Sequence, residues 1–180
     1  MLREYWSKIR YLEFSGGGPS AIAQFGCVDA IQRTHIQNGF HGQIVGVSGC
    51  SAGSLVGLLL LLCRFDVGLI RGVIGKLTWR AYDPRTLSAA AVKLHSAIVS
   101  KDRGTEEIED VLERLCGDRD LTLRRLHEHT GVLYVARATD LVTSRVVYLS
   151  HNSYPDMKVS DAVWASMAVP IAHEPLRRDG

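Results

Sequence analysis

Hydrophobic and polar positions alternate at the front of the chain. Ile9-Arg-Tyr-Leu-Glu-Phe14 places charge between apolar side chains and predicts a strand. Ser15-Gly-Gly-Gly-Pro-Ser20 breaks it, and Pro19 suits the first turn of a helix, where a missing N–H costs nothing. From Ala21 to His35 the apolar residues Ile22, Phe25, Val28 and Ile31 recur at helical spacing, and Asn38-Gly39 closes that stretch. Gln43-Ile-Val-Gly-Val-Ser48 predicts a second short strand. The run Ser54 to Cys63 is apolar on every side, as a helix buried at the centre of a domain must be.

Further helices are expected over 66–76, 84–99, 121–129 and 159–168. Another is expected to be capped by Thr105, with Glu106 and Glu107 in its first turn, a stripe of Ile108, Val111, Leu112 and Leu115, and Gly117 as its stop. Residues 132–140 and 145–149 read as strands. Strand and helix alternating at the front imply parallel pairing in a layered α/β fold. With no internal repeat or low-complexity linker in 180 residues, the expectation is one domain. The chain stops at Arg178-Asp-Gly180 without a closing helix, so a domain truncated at its C-terminus is expected.

Composition narrows the function. A net charge of +2 without a basic block argues against nucleic acid as a partner. Cys27, Cys50, Cys63 and Cys116 show no CxxC or metal-ligand spacing and read as reduced core thiols, so neither a metal nor a cofactor is expected. The N-terminus lacks the apolar core of a signal peptide. The longest apolar run, Leu55 to Cys63, is about half the ~18–20 residues a bilayer span needs, so no transmembrane anchor is expected. The expected location is the cytoplasm, with peripheral contact at membrane surfaces.

Two glycine-rich turns carry the candidate chemistry. Gly49-Cys50-Ser51-Ala52-Gly53 lies between an apolar strand and an apolar helix, the context of a nucleophile elbow. Small neighbours let the chain turn sharply enough to expose the Ser51 hydroxyl, and the helix N-terminus behind it favours developing negative charge. The plainer reading is a small-residue turn for close packing. Cys50 is a rival nucleophile, but it sits off the apex and reads as a packed thiol. The second turn holds Gly16, Gly17 and Gly18. It lacks the Lys-Ser/Thr of a phosphate-binding P-loop. Ala21 stands where a dinucleotide fingerprint has its third glycine, and the second strand ends at Val47-Ser48 without an acid. Two readings remain, an oxyanion hole of backbone amides or a tight connecting loop. A histidine base would come late in the chain, as His151 or His173 with Asp140 to orient it. Nothing local marks either histidine, so each reads better as a solvated or hydrogen-bonded surface group, and Asp140 as a turn former. Asp156 and Asp161 read as solvated charges, Trp164 and Met167 as core.

These motifs resemble the patatin-like phospholipases. Tyr11-Leu-Glu-Phe-Ser-Gly-Gly-Gly-Pro-Ser20 and Ile44-Val-Gly-Val-Ser-Gly-Cys-Ser-Ala-Gly53 carry the likeness. Leu121-Thr-Leu-Arg-Arg-Leu126, Val135-Ala-Arg-Ala-Thr-Asp-Leu-Val-Thr-Ser144 and Asp161-Ala-Val-Trp-Ala-Ser-Met-Ala-Val-Pro170 extend it. The resemblance implies a three-layer α/β/α fold with a mainly parallel central sheet. It also implies a Ser-Asp dyad with Ser51 as nucleophile, an oxyanion hole at Gly16 to Gly18, and an acyl lipid substrate met at a membrane or micelle surface. Ser20 and Ala21 replace the family's usual Arg/Lys-Gly, which removes a cation. Asp179 is either the dyad's base or part of a hairpin turn, with the base beyond residue 180. A lipid acyl hydrolase, an inactive lipid-binding domain and an acyltransferase sharing the elbow all follow this pattern.

Overall fold

The computed structural model describes residues 2–35, 40–75, 99–170 and 172–177. Residues 84–98 of the helix expected over 84–99 lie outside them, as does Asp179. The elements are α1 (Leu2–Trp6), β1 (Tyr11–Phe14), a 3₁₀ turn (Gly18–Ile22), α2 (Ala23–His35), β2 (Gly46–Cys50), α3 (Ala52–Leu62) and α4 (Val67–Ile74). After them come α5 (Lys101–Cys116), α6 (Leu123–Thr130), β3 (Leu133–Asp140), β4 (Arg145–Leu149) and α7 (Val159–Met167).

The fold is mixed α/β, a central sheet flanked by helices, with strand order β1-β2-β3-β4. β1 and β3 run parallel to β2, with Leu12, Val47 and Tyr134 side by side in register. β4 is antiparallel, Asp140 facing Arg145, because the link over 141–144 is too short for a crossover. The Asp140 carboxylate organises that link. It accepts from Val142 N at 2.8 Å and from Thr143 Oγ1 at 2.6 Å, and these donors, the Thr143 hydroxyl first, hold it below its ordinary pKa. Asp140 is thus the turn former that its residue type suggested.

α3 lies against β1, β2 and β3, and α7 against β3. Leu58, Leu59 and Leu60 are buried, as are Phe14, Val47, Tyr134 and Ala136 on the strands beneath. Each buried leucine contributes about 1.5–3 kcal/mol of transfer free energy, so α3 is the apolar centre its all-round hydrophobicity predicts. The other face of the sheet exposes Tyr11, Glu13, Val146 and Tyr148, and Glu13 pairs there with Arg137.

Three expectations need correction. α5 is not capped by Thr105: its N-cap is Ser100, and Thr105 is buried inside the helix. A tertiary partner sets this start, since the Lys101 N–H donates to the Glu174 carboxylate at 3.0 Å. Burial of Gly104 under Trp164 also makes glycine acceptable within the helix, for a methyl there would lie 1.9 Å from the indole Cζ3. Ile22 is exposed in the 3₁₀ turn instead of joining the α2 stripe. Of the cysteines, only Cys63 is a core thiol; Cys50 and Cys116 are half-buried and Cys27 is exposed.

Candidate active site

The elbow begins where β2 ends at Cys50 and closes with α3, which starts at Ala52. Ser51 alone makes the turn, at φ 53° and ψ −130°. A non-glycine residue in such a region costs about 1–3 kcal/mol and persists only where its surroundings over-determine it. Two glycines make the turn possible. A methyl at Gly49 would lie 2.3 Å from the Gly53 carbonyl oxygen, and one at Gly53 would lie 2.3 Å from the Phe14 carbonyl oxygen. Strand, elbow and the end of β1 are therefore in backbone contact, which only hydrogen side chains permit.

Hydrogen bonds fix Ser51 on both sides. Its N–H donates to Ser166 Oγ at 2.8 Å, and the Ser166 hydroxyl donates to the Arg137 carbonyl at 2.6 Å. Its carbonyl accepts from Ser54 N at 2.8 Å and Ser54 Oγ at 2.6 Å. The Tyr134 hydroxyl in turn donates to the Ser54 carbonyl at 2.8 Å, and complete burial pushes the phenol pKa well above its ordinary value.

The triple-glycine loop meets this elbow. A methyl built on Gly16 would stand 3.2 Å from Ser51 Cβ and 3.9 Å from Ser51 Oγ. Gly17 and Gly18 follow at φ 156° and 54°, and all three glycines are exposed. Ser20, standing where a cation was expected, orders the loop itself: its hydroxyl and its N–H both donate to the Gly17 carbonyl, at 2.6 and 3.2 Å. In a trans peptide this turns the Gly18 N–H away from Ser20. Gln24 holds the loop's other end by donating to the Ser15 carbonyl at 2.9 Å. The amide of Ala52, at the first position of α3, has no acceptor within its helix. Ser51 thus faces exposed glycine backbone at a helix N-terminus, an arrangement suited to holding an oxyanion beside a hydroxyl.

The remaining candidates fall elsewhere. Cys50 ends β2 opposite Arg137. His151 stacks on His127 with ring centres 3.8 Å apart, and burial with His127 beside it lowers its pKa. His173 is not the surface group expected of it: it is buried against the edge of Trp164 and accepts from Val169 N at 3.1 Å, and burial lowers its pKa. Trp164 and Met167 are buried as core. Asp156 is an exposed partner of Arg124, whereas Asp161 is a partly shielded partner of Lys101 at 2.9 Å. No group of three or more His, Cys, Asp or Glu suited to a metal occurs among the described residues. No described helix is long and apolar enough to cross a membrane.

Sequence reasoning missed Ser166, Ser54 and Tyr134. Ser54 follows the elbow motif directly, and Ser166 lies within Ala165-Ser166-Met167-Ala168-Val169-Pro170. Nothing local marks either as a partner of Ser51.

The crystal structure of the type III effector protein ExoU superposes with a TM-score of 0.57 at 20% identity, covering 92% of this chain and 41% of that one. VipD from Legionella pneumophila gives 0.56 at 16% identity, over 95% and 44%. ExoU in complex with SpcU, from the type III secretion system of Pseudomonas aeruginosa, gives 0.53 at 16% identity, over 91% and 39%. The likeness is one of fold, and the chain spans less than half the length of each. No curated protein matches the chain. The patatin-like phospholipase family model matches residues 12–180, a stretch that holds the triple-glycine loop, the strained turn at Ser51 and the α7 helix that grips it; the chain belongs to that family.

Proposed function

We propose that this chain is a serine lipid acyl hydrolase of the phospholipase A or lysophospholipase type. Ser51 Oγ attacks the ester carbonyl, the amides of Gly16 to Gly18 stabilise the tetrahedral oxyanion, and an aspartate takes the serine proton. That proton passes to the departing alcohol, and water then releases the fatty acid from the acyl-enzyme. The observation that carries this reading is the approach of the two glycine turns: a methyl on Gly16 would lie only 3.9 Å from Ser51 Oγ. Membership of a lipase family and the fold shared with ExoU and VipD support it. The loop order supplied by Ser20 favours a working oxyanion site over an inactive domain.

The test is release of fatty acid from lysophospholipid micelles, alongside labelling by a serine-reactive fluorophosphonate. Ser51→Ala is expected to abolish both, and retention of either at the wild-type level overturns the assignment. Product analysis with an added alcohol separates hydrolysis from acyl transfer, with free fatty acid expected as the main product. Asp179→Asn discriminates the two readings of Arg178-Asp179-Gly180: loss of hydrolysis assigns the base to Asp179, and full activity makes it a turn.

A further inference from the structure

The parallel ladder between β2 and β3 ends at Cys50 opposite Arg137. One residue further on, Ser51 has left the sheet, so its N–H does not bond the Arg137 carbonyl directly. The hydroxyl of Ser166 on α7 stands between the two groups, accepting from Ser51 N at 2.8 Å and donating to Arg137 O at 2.6 Å. A hydroxyl has one proton. Here that proton is committed to Arg137, which leaves a lone pair aimed at the Ser51 amide. The side chain thus serves as a last rung of the ladder, placed where the backbone turns too sharply to supply one.

We propose that Ser166 is a positioning residue for Ser51, setting the orientation of the reactive hydroxyl by holding its backbone N–H to the end of β3. This rests on the reading of Ser51 as the nucleophile. The rung meets the strained residue at its N-terminal side, while Ser54 holds the C-terminal side through the Ser51 carbonyl. Removing the Ser166 hydroxyl leaves the φ 53° turn tethered from one side only. Because the rung occupies the Ser51 N–H, that amide is not an oxyanion donor. That role falls to the glycine loop and the first amides of α3. Ser166 touches no reacting atom and takes no proton from Ser51.

The experiment compares Ser166→Ala, Ser166→Thr and Ser160→Ala in the full chain. Ser160 lies on the same helix, and its hydroxyl donates to Glu109, away from the elbow. Readouts are kcat and KM for ester hydrolysis, the rate of fluorophosphonate labelling at Ser51, and the thermal midpoint. Ser166→Ala is expected to lower kcat and the labelling rate together by about 10–100-fold, as a roughly 1 Å misplacement does, with KM within about twofold. Ser166→Thr, which keeps a hydroxyl, is expected to restore most of both rates, while Ser160→Ala keeps wild-type kcat whatever its thermal midpoint. Wild-type labelling and kcat in Ser166→Ala overturn the proposal. An equal loss of kcat in Ser160→Ala also overturns it, as a general effect of loosening α7. Failure of the probe to label wild-type Ser51 overturns instead the nucleophile reading on which the proposal rests.

Discussion

Gly53→Ala sets two physical effects against each other. Gly53 is the second residue of α3, where replacing glycine by alanine favours the helix by up to about 1 kcal/mol. The new methyl would lie 2.3 Å from the Phe14 carbonyl oxygen and 2.5 Å from that of Ser15. Both obstacles are backbone, so no rotamer change relieves them. Reaching even a 3.0 Å separation from Phe14 O moves α3 away from β1 by about 0.7 Å (3.0 − 2.3). Overpacking of this kind costs typically 1–3 kcal/mol. Contact with backbone places it at the upper end, leaving a net loss of about 2 kcal/mol. In a domain of this size that lowers the thermal midpoint by roughly 4–8 °C. The same displacement separates Ser51 from Gly16, and misplacement approaching 1 Å costs on the order of 100-fold in rate. Calorimetry with the ester hydrolysis assay measures both effects. A Gly53→Ala chain with an unchanged or raised midpoint and full activity refutes the reasoning, because α3 would then not rest on the end of β1 as described.

Two further outcomes follow from burial. The folded-state pKa of Tyr134 lies above its unfolded value because burial disfavours the phenolate, so its contribution is complete below pH ~10 and is lost as pH rises beyond. Stability is expected to fall by at most about 1.4 kcal/mol per pH unit there from this group; in Tyr134→Phe denaturant titrations that part of the slope disappears, and an unchanged slope refutes the assignment. Burial pushes the Cys63 thiol up to about 11, with Asp66 adding to the effect, whereas Cys27 is exposed. Iodoacetamide at pH 8 with peptide mapping is expected to modify Cys27 well before Cys63, and the reverse order would contradict this burial.

Local chemistry made much of the fold and part of the site legible. The elbow glycines Gly49 and Gly53 are required by close backbone approach, Gly17 and Gly18 of the loop by positive φ, the all-round apolar run of α3 by its central place, and the role of Asp140 by its reach to amides two and three residues on. Asp66 caps α4 by accepting from Leu69 N, and Gly117 closes α5 at φ 67°, both short-range rules visible in the chain. What stayed hidden depends on groups far apart in sequence. The Ser166–Ser51 bond joins residues 115 positions apart, Tyr134–Ser54 spans 80, and Lys101–Glu174, which starts α5 four residues before Thr105, spans 73. A serine in an apolar helix looks the same to every local rule whether its hydroxyl meets water, its own helix or the turn of a distant strand. The amino-acid sequence determined by itself where the chain bends and which stretches hide from water, because those follow from the shape and polarity of neighbours. Which amide the Ser166 hydroxyl holds was decided only when α7 packed against β3, since a hydrogen bond needs about 3 Å between its partners and only the folded chain brings them that close.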